Sequence, residues 1–200
     1  MGLLSKLFGS PTRSVRTTIN RPLEIQDPTI GFLNLCGEPG LLLLEADKQA
    51  LAPLFSQTKV SDKLPPPQCD VLFIYCNLNL EAGASDPIAS PRSLIKEARA
   101  YIAVFASENG AKAYMARMGK RTDWGANIVM VLNRNGEKFA AFFQQLFTAM
   151  FEGQSMPMTW VQLATQGSSP KHDENPGSIF AAAAGHVTFA RTSNNRWRGP

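Results

Sequence analysis

The residues best suited to chemistry sit directly behind strand-length apolar runs. Asn77 and Asn79 follow residues 71–76, Ser107, Glu108 and Asn109 follow residues 101–106, and Asn133 and Arg134 follow residues 128–132. In an open α/β sheet, loops and helix N-termini beyond the carboxyl ends of the strands face one crevice, so polar residues placed this way can meet a common ligand. Ser107-Glu108-Asn109-Gly110 opens a predicted helix, and its backbone N–H groups could hold a phosphate or carboxylate. The same residues also serve as a helix cap, and the carboxylate of Glu108 counts against an anion at its side. Arg134 could pair with an anion through its planar fork, whereas Asn135-Gly136 beside it is also an ordinary turn. His172, next to Asp173 and Glu174, titrates near neutrality and could serve acid–base chemistry, although a solvated loop histidine is the commoner arrangement. The expected function is therefore binding of a small anionic or nucleotide-like ligand by Asn77, Asn79, Ser107, Glu108, Asn109, Asn133, Arg134 and His172. Ser107 and Arg134 are expected outside the core.

Standard catalytic signatures are missing. No Gly-x-x-x-x-Gly-Lys-Ser/Thr loop and no Gly-x-Gly-x-x-Gly follows a strand, which removes the usual warrant for a nucleoside triphosphatase or a dinucleotide-dependent dehydrogenase. The Gly-x-Ser-x-Gly turn that exposes a hydrolase serine is also missing, so Ser107 stands without those glycines. His172 and His186 are fourteen residues apart with no paired-histidine helix, so no metal site is expected and no cofactor can be named. Asp123 and Trp124 precede the third of these strands, at the opposite edge, and read as structural capping.

Five apolar runs of strand length, at 71–76, 101–106, 128–132, 159–164 and 187–190, alternate with helical segments at 91–99, 111–118, 137–152 and, more weakly, 178–184. The first four runs are nearly continuous in apolar residues, as strands covered on both faces require. Such alternation predicts a doubly wound, mostly parallel five-stranded sheet of flavodoxin-like or Rossmann-like type. The 137–152 helix carries Phe139, Phe142, Phe143, Leu146, Phe147, Met150 and Phe151 at spacings of three and four, a core stripe. Upstream, a short strand is expected at 19–25. Residues 31–36 and 41–45 flank Gly37-Glu38-Pro39-Gly40, which reads as a hairpin turn, and Asp47 reads as the cap of a helix reaching Phe55. Pro65-Pro66-Pro67 then marks a boundary. The organisation expected is a flexible basic segment at 1–30, a hairpin-plus-helix extension at 31–64, an α/β domain at 65–190 and a basic tail at 191–200. The 80–90 loop is longer than a connection needs and is a candidate ligand cover.

Asp70-Val71-Leu72-Phe73-Ile74-Tyr75 resembles the first strand of TIR domains, five-stranded doubly wound modules of signalling or NAD cleavage. The resemblance covers six residues, lacks the serine usual before the tyrosine, and places the family's catalytic glutamate on no residue here.

The chain carries a formal charge of +4 and is 44% hydrophobic, enough for a full core. Lys6, Arg13, Arg16, Arg21, Arg191, Arg196 and Arg198 lie near its ends, so the middle is close to neutral and no nucleic acid is expected. Cys36, Cys69 and Cys76 show no Cys-x-x-Cys spacing and read as reduced thiols of a cytoplasmic protein. Leu3, Leu4, Leu7 and Phe8 form a run too short to span a membrane, leaving at most weak peripheral contact. Two other functions fit the same residues: a protein-interaction module, acting as an accessory or inhibitory subunit or as a homo-oligomer, and an enzyme with an unusual site near Glu108 and His172.

Overall fold

The protein is described by a computed structural model that covers residues 22–78, 90–118, 123–134, 136, 138–166 and 176–192. Asn79, His172, the apolar run at the N-terminus and all of the 80–90 loop except Ser90 lie outside the described residues. In chain order the elements are β1 (Leu23–Gln26), β2 (Thr29–Asn34), α1 (Glu38–Leu51), a short 3-10 turn (Ala52–Leu54), β3 (Gln57–Ser61), β4 (Val71–Tyr75), α2 (Pro91–Ala98), β5 (Ile102–Phe105), α3 (Ala111–Arg117), β6 (Asn127–Asn133), α4 (Lys138–Phe151), α5 (Met156–Gln166), β7 (Gly177–Ala182) and β8 (Val187–Ala190).

Six strands form one sheet in the order β3-β2-β4-β5-β6-β7, and β1 pairs with β8 in a separate two-stranded sheet. From β3 to β6 every neighbour is parallel, and β7 alone runs antiparallel against β6. The chain steps outward from β2 to β3, crosses back to β4, and then proceeds through β5 and β6 on the other side. Strand order therefore reverses between β2 and β4.

Alternation within the central strands divides the core in two. Val71, Phe73 and Tyr75 of β4 face a layer containing Leu44 and Leu51 of α1, the Phe stripe of α4, Trp160 of α5 and Phe189 of β8. Leu72 and Ile74 face the other layer, with Leu94, Ile95 and Ala98 of α2 and Tyr114 of α3. Helices thus cover both faces, which is why β4 and β5 are apolar at every position. The expected helices α2, α3 and α4 form within a residue of their anticipated ends.

Five expectations are corrected by the structure. Residues 31–45 make no hairpin: 31–34 belong to β2, which lies inside the sheet between β3 and β4, while Leu41 to Glu45 lie in α1. Gly37, at φ 67°, and Pro39 in the first turn start that helix instead of a turn, since proline needs no N–H there. Asp47 consequently sits in mid-helix, buried, and caps nothing. The 159–164 run is helical: Met156, Thr159 and Trp160 are buried while Met158 and Val161 are exposed, a spacing that a short apolar run disguises as a strand. Conversely, the alanine-rich 178–184 segment forms β7, because pairing with β6 outweighs alanine's helix propensity. The 187–190 strand does form, but it joins β1 and not the main sheet; because β2, β3 and β7 enter that sheet, it has six strands instead of the expected five.

All three cysteines are free, and burial pushes the Cys69 thiol up to about 12. No helix among the described residues is long and apolar enough to cross a membrane.

Phe143 is fully buried and its ring meets those of Phe73, Phe139, Phe142, Phe147 and Trp160, which joins α4 to both the sheet and α5. Phe143→Ala should cost about 3–5 kcal/mol in urea unfolding, the usual cost of emptying a buried aromatic site. A loss below about 1 kcal/mol would contradict this packing.

Candidate functional site

At the carboxyl ends of the central strands, four chain segments converge on one pair of charges. Arg134 follows β6, and its Nη2 donates to Asp47 Oδ1 at 2.8 Å and to Oδ2 at 3.0 Å. Its Nη1 donates to the carbonyl of Ala106, after β5, at 2.6 Å, and its guanidinium lies 3.7 Å over the ring of Phe139. Tyr75, the last residue of β4, donates its hydroxyl to Asp47 Oδ2 at 2.7 Å. The Arg134 N–H is accepted by Glu108 at 2.9 Å. Burial pushes the Asp47 carboxyl above its ordinary range, and the bonds from Arg134 and Tyr75 oppose that rise. Burial and the adjacent Asp47 charge hold the Tyr75 phenol well above its ordinary value, so it remains a donor.

Above this pair opens a crevice of about 260 Å³ lined by Cys36, Pro39, Gly40, Leu43, Asn77, Ser107, Glu108 and Arg134. It lies where strand order reverses, the position at which open α/β sheets form their clefts. Gly40 brings α1 close enough to form one wall: a Cβ there would collide with the Asn34 side chain and approach Cys36 Cβ to 2.9 Å. Asn34 shapes the same wall, taking the Cys36 N–H at 3.0 Å and donating to the Gly37 carbonyl at 2.8 Å. Ser107 is buried, and among the described residues its hydroxyl has a single partner, the Cys36 thiol at 3.8 Å.

Of the residues expected to bind ligand, the crevice brings together Asn77, Ser107, Glu108 and Arg134. Asn109 is instead spent on structure, accepting the Leu78 N–H at 2.7 Å and donating to the carbonyls of Cys76 and Ser107. Asn133 is exposed in the register with Gly177 of β7 and does not line the crevice. Ser107 and Arg134 are only 6% and 7% exposed, so the expectation that both lie outside the core is corrected. Cys36, Gly40, Leu43 and Asp47 were not anticipated, because the hairpin reading removed α1 from the sheet. A buried acid at helical spacing from Leu44 and Leu51 was the signal that could have found them.

A larger hollow of about 520 Å³ opens at the other end of the strands, between Thr29, Asp70, Arg99 and Trp124. Within it Asp70 takes the N–H and hydroxyl of Thr29, and the Trp124 indole donates to the Ala100 carbonyl at 2.7 Å. Asp123 beside it pairs with Lys96 at 2.6 Å on the surface. The smaller crevice, with the buried Ser107 in its lining at the strand-order reversal, is the better candidate. Among the described residues no group of three or more His, Cys, Asp or Glu is placed to hold a metal.

Burial raises the Cys36 thiol above its ordinary 9.0, and the Ser107 hydroxyl contact draws it partly back. At neutral pH the thiolate fraction is thus below that of a free cysteine, and iodoacetamide should alkylate Cys36 slowly until the pH passes 9.0. Ser107→Ala removes the opposing contact and should move the rate profile further alkaline. Peptide mass spectrometry of the alkylated site reads this out, and a half-maximal rate below 9.0 would contradict the geometry.

No protein family, no curated protein and no solved structure matches this chain, so its function is read from the crevice itself.

Proposed function

We propose that the chain is a binding module of flavodoxin-like type that takes a small polar ligand in the crevice between β2, β4, β5 and β6. The order of its five parallel strands supports the type: taken in chain order from β2, they lie 2-1-3-4-5 across the sheet, with β7 added at the edge. The observation that carries the ligand reading is the buried Ser107 hydroxyl, whose one described partner is a weak thiol, in the lining of a crevice at the strand-order reversal. A buried polar group with so weak a partner gains from a ligand that completes its hydrogen bonds.

Charge balance narrows the class. Arg134, the cation among the described lining residues, is already neutralised by Asp47, and the exposed Glu108 adds a carboxylate. A free anion would meet little uncompensated positive charge, so a neutral hydroxylated compound or a small amine is favoured over the anionic ligand anticipated from the loops. The crevice is also smaller than the roughly 300–1,000 Å³ of drug-sized sites, which favours a small metabolite over a dinucleotide. Asn77 and Ser107 would hold the ligand's hydroxyl groups, Glu108 would accept from a donor, and Pro39 and Leu43 would pack against its apolar part.

A thermal-shift screen tests this with a panel divided into polyols, small amines and phosphorylated compounds, because a ligand that binds only the folded chain raises its melting temperature. The hits are expected among polyols and amines, they should slow alkylation of Cys36, and Asn77→Ala should weaken them. Hits confined to phosphorylated compounds, with Cys36 unprotected, would overturn the proposal.

A further inference from the structure

The two edges of the six-stranded sheet are not alike. At one, β3 carries Lys59, and charged residues on an edge strand oppose the addition of further strands. At the other, β7 reads Gly-Ser-Ile-Phe-Ala-Ala, six extended residues without charge or proline. It pairs with β6 on one side, and among the described residues no strand pairs with its other side. One face of β7 is packed, with Phe180 stacked on Trp160 at 4.9 Å. On the other face Ile179, opposite Met130, is 38% exposed, and Leu132 of β6 is 36% exposed. A neutral edge whose outer N–H and C=O groups have no strand partner among the described residues, flanked by exposed apolar side chains, is a template for another strand.

We propose that the chain self-associates through β7, two copies pairing these strands antiparallel about a two-fold axis normal to the sheet. A second copy fits because an uncharged strand apposed to itself sets no like charges against each other, and the symmetry is self-closing. An axis normal to the sheet also keeps the faces in register, so Ile179 of each copy lies on the same side of a continuous twelve-stranded sheet. Six-residue strands supply about six backbone hydrogen bonds, a small interface that makes a weak, concentration-dependent dimer.

Sedimentation velocity of the full chain across a micromolar dilution series tests this. The wild-type mass should rise from one chain toward two, Ile179→Lys should remain at one chain with an unchanged melting curve, and Val60→Lys on the opposite edge should behave as wild type. If Ile179→Lys fails to fold, Ala182→Lys at the exposed end of β7 replaces it with the same expected loss of dimer. A wild type monomeric at every concentration, or a dimer that survives the β7 substitutions, overturns the proposal. So does a monomer whose β7 amides are protected from exchange, since the edge is then covered by the chain's own residues.

Discussion

An aspartate in the middle of an amphipathic helix, facing a sheet, must either find a cation or lose its charge. Asp47 finds Arg134, which reaches it from the end of β6 while also donating to the end of β5 and stacking on the first turn of α4. Taking both ions out of water is expensive, and their mutual attraction returns that cost only when geometry and additional hydrogen bonds are favourable. Here the two-pronged contact, the Tyr75 hydroxyl and the Ala106 carbonyl supply them. Buried ion pairs typically gain little over a well-packed apolar pair. What the pair contributes is registry, because an apolar contact would let α1 slide along the sheet, whereas this one fits a single placement.

That placement has consequences for the crevice. With α1 fixed by Asp47, Gly40 brings its first turn against Asn34, and Cys36 comes over Ser107. The same pair sets the electrostatics, since a guanidinium committed to a buried carboxylate contributes structure rather than free positive charge. The shape and charge of the crevice therefore depend on how the helix is anchored as much as on which residues line the opening.

The sequence made the middle of the fold legible and left its margins obscure, for physical reasons. Strands covered on both faces are apolar at every position, so β4 and β5 stand out, and the Phe stripe of α4 recurs at a period only a helix satisfies. Gly37-Glu38-Pro39-Gly40 has the composition of a turn and of a helix start alike, and only the partner of Asp47, 87 residues away, distinguishes them. β7 and α5 are settled by what they pack against: Ile179 by Met130 across the ladder, Trp160 by Phe142 and Phe180. The strand-end rule placed Asn77, Ser107, Glu108 and Arg134 at the crevice, but it is silent on whether a side chain turns toward a ligand or, like Asn109, back onto the loop.

A double-mutant cycle in urea, comparing Asp47→Asn, Arg134→Met and the pair together with the wild type, addresses the anchoring most directly. Each single change strands one buried charge and should cost about 3–5 kcal/mol, while the double variant, with neither charge left, should lose less than the sum by at least about 2 kcal/mol. Losses that add to within about 0.5 kcal/mol would show that the two residues act independently and that something other than this pair holds α1 on the sheet.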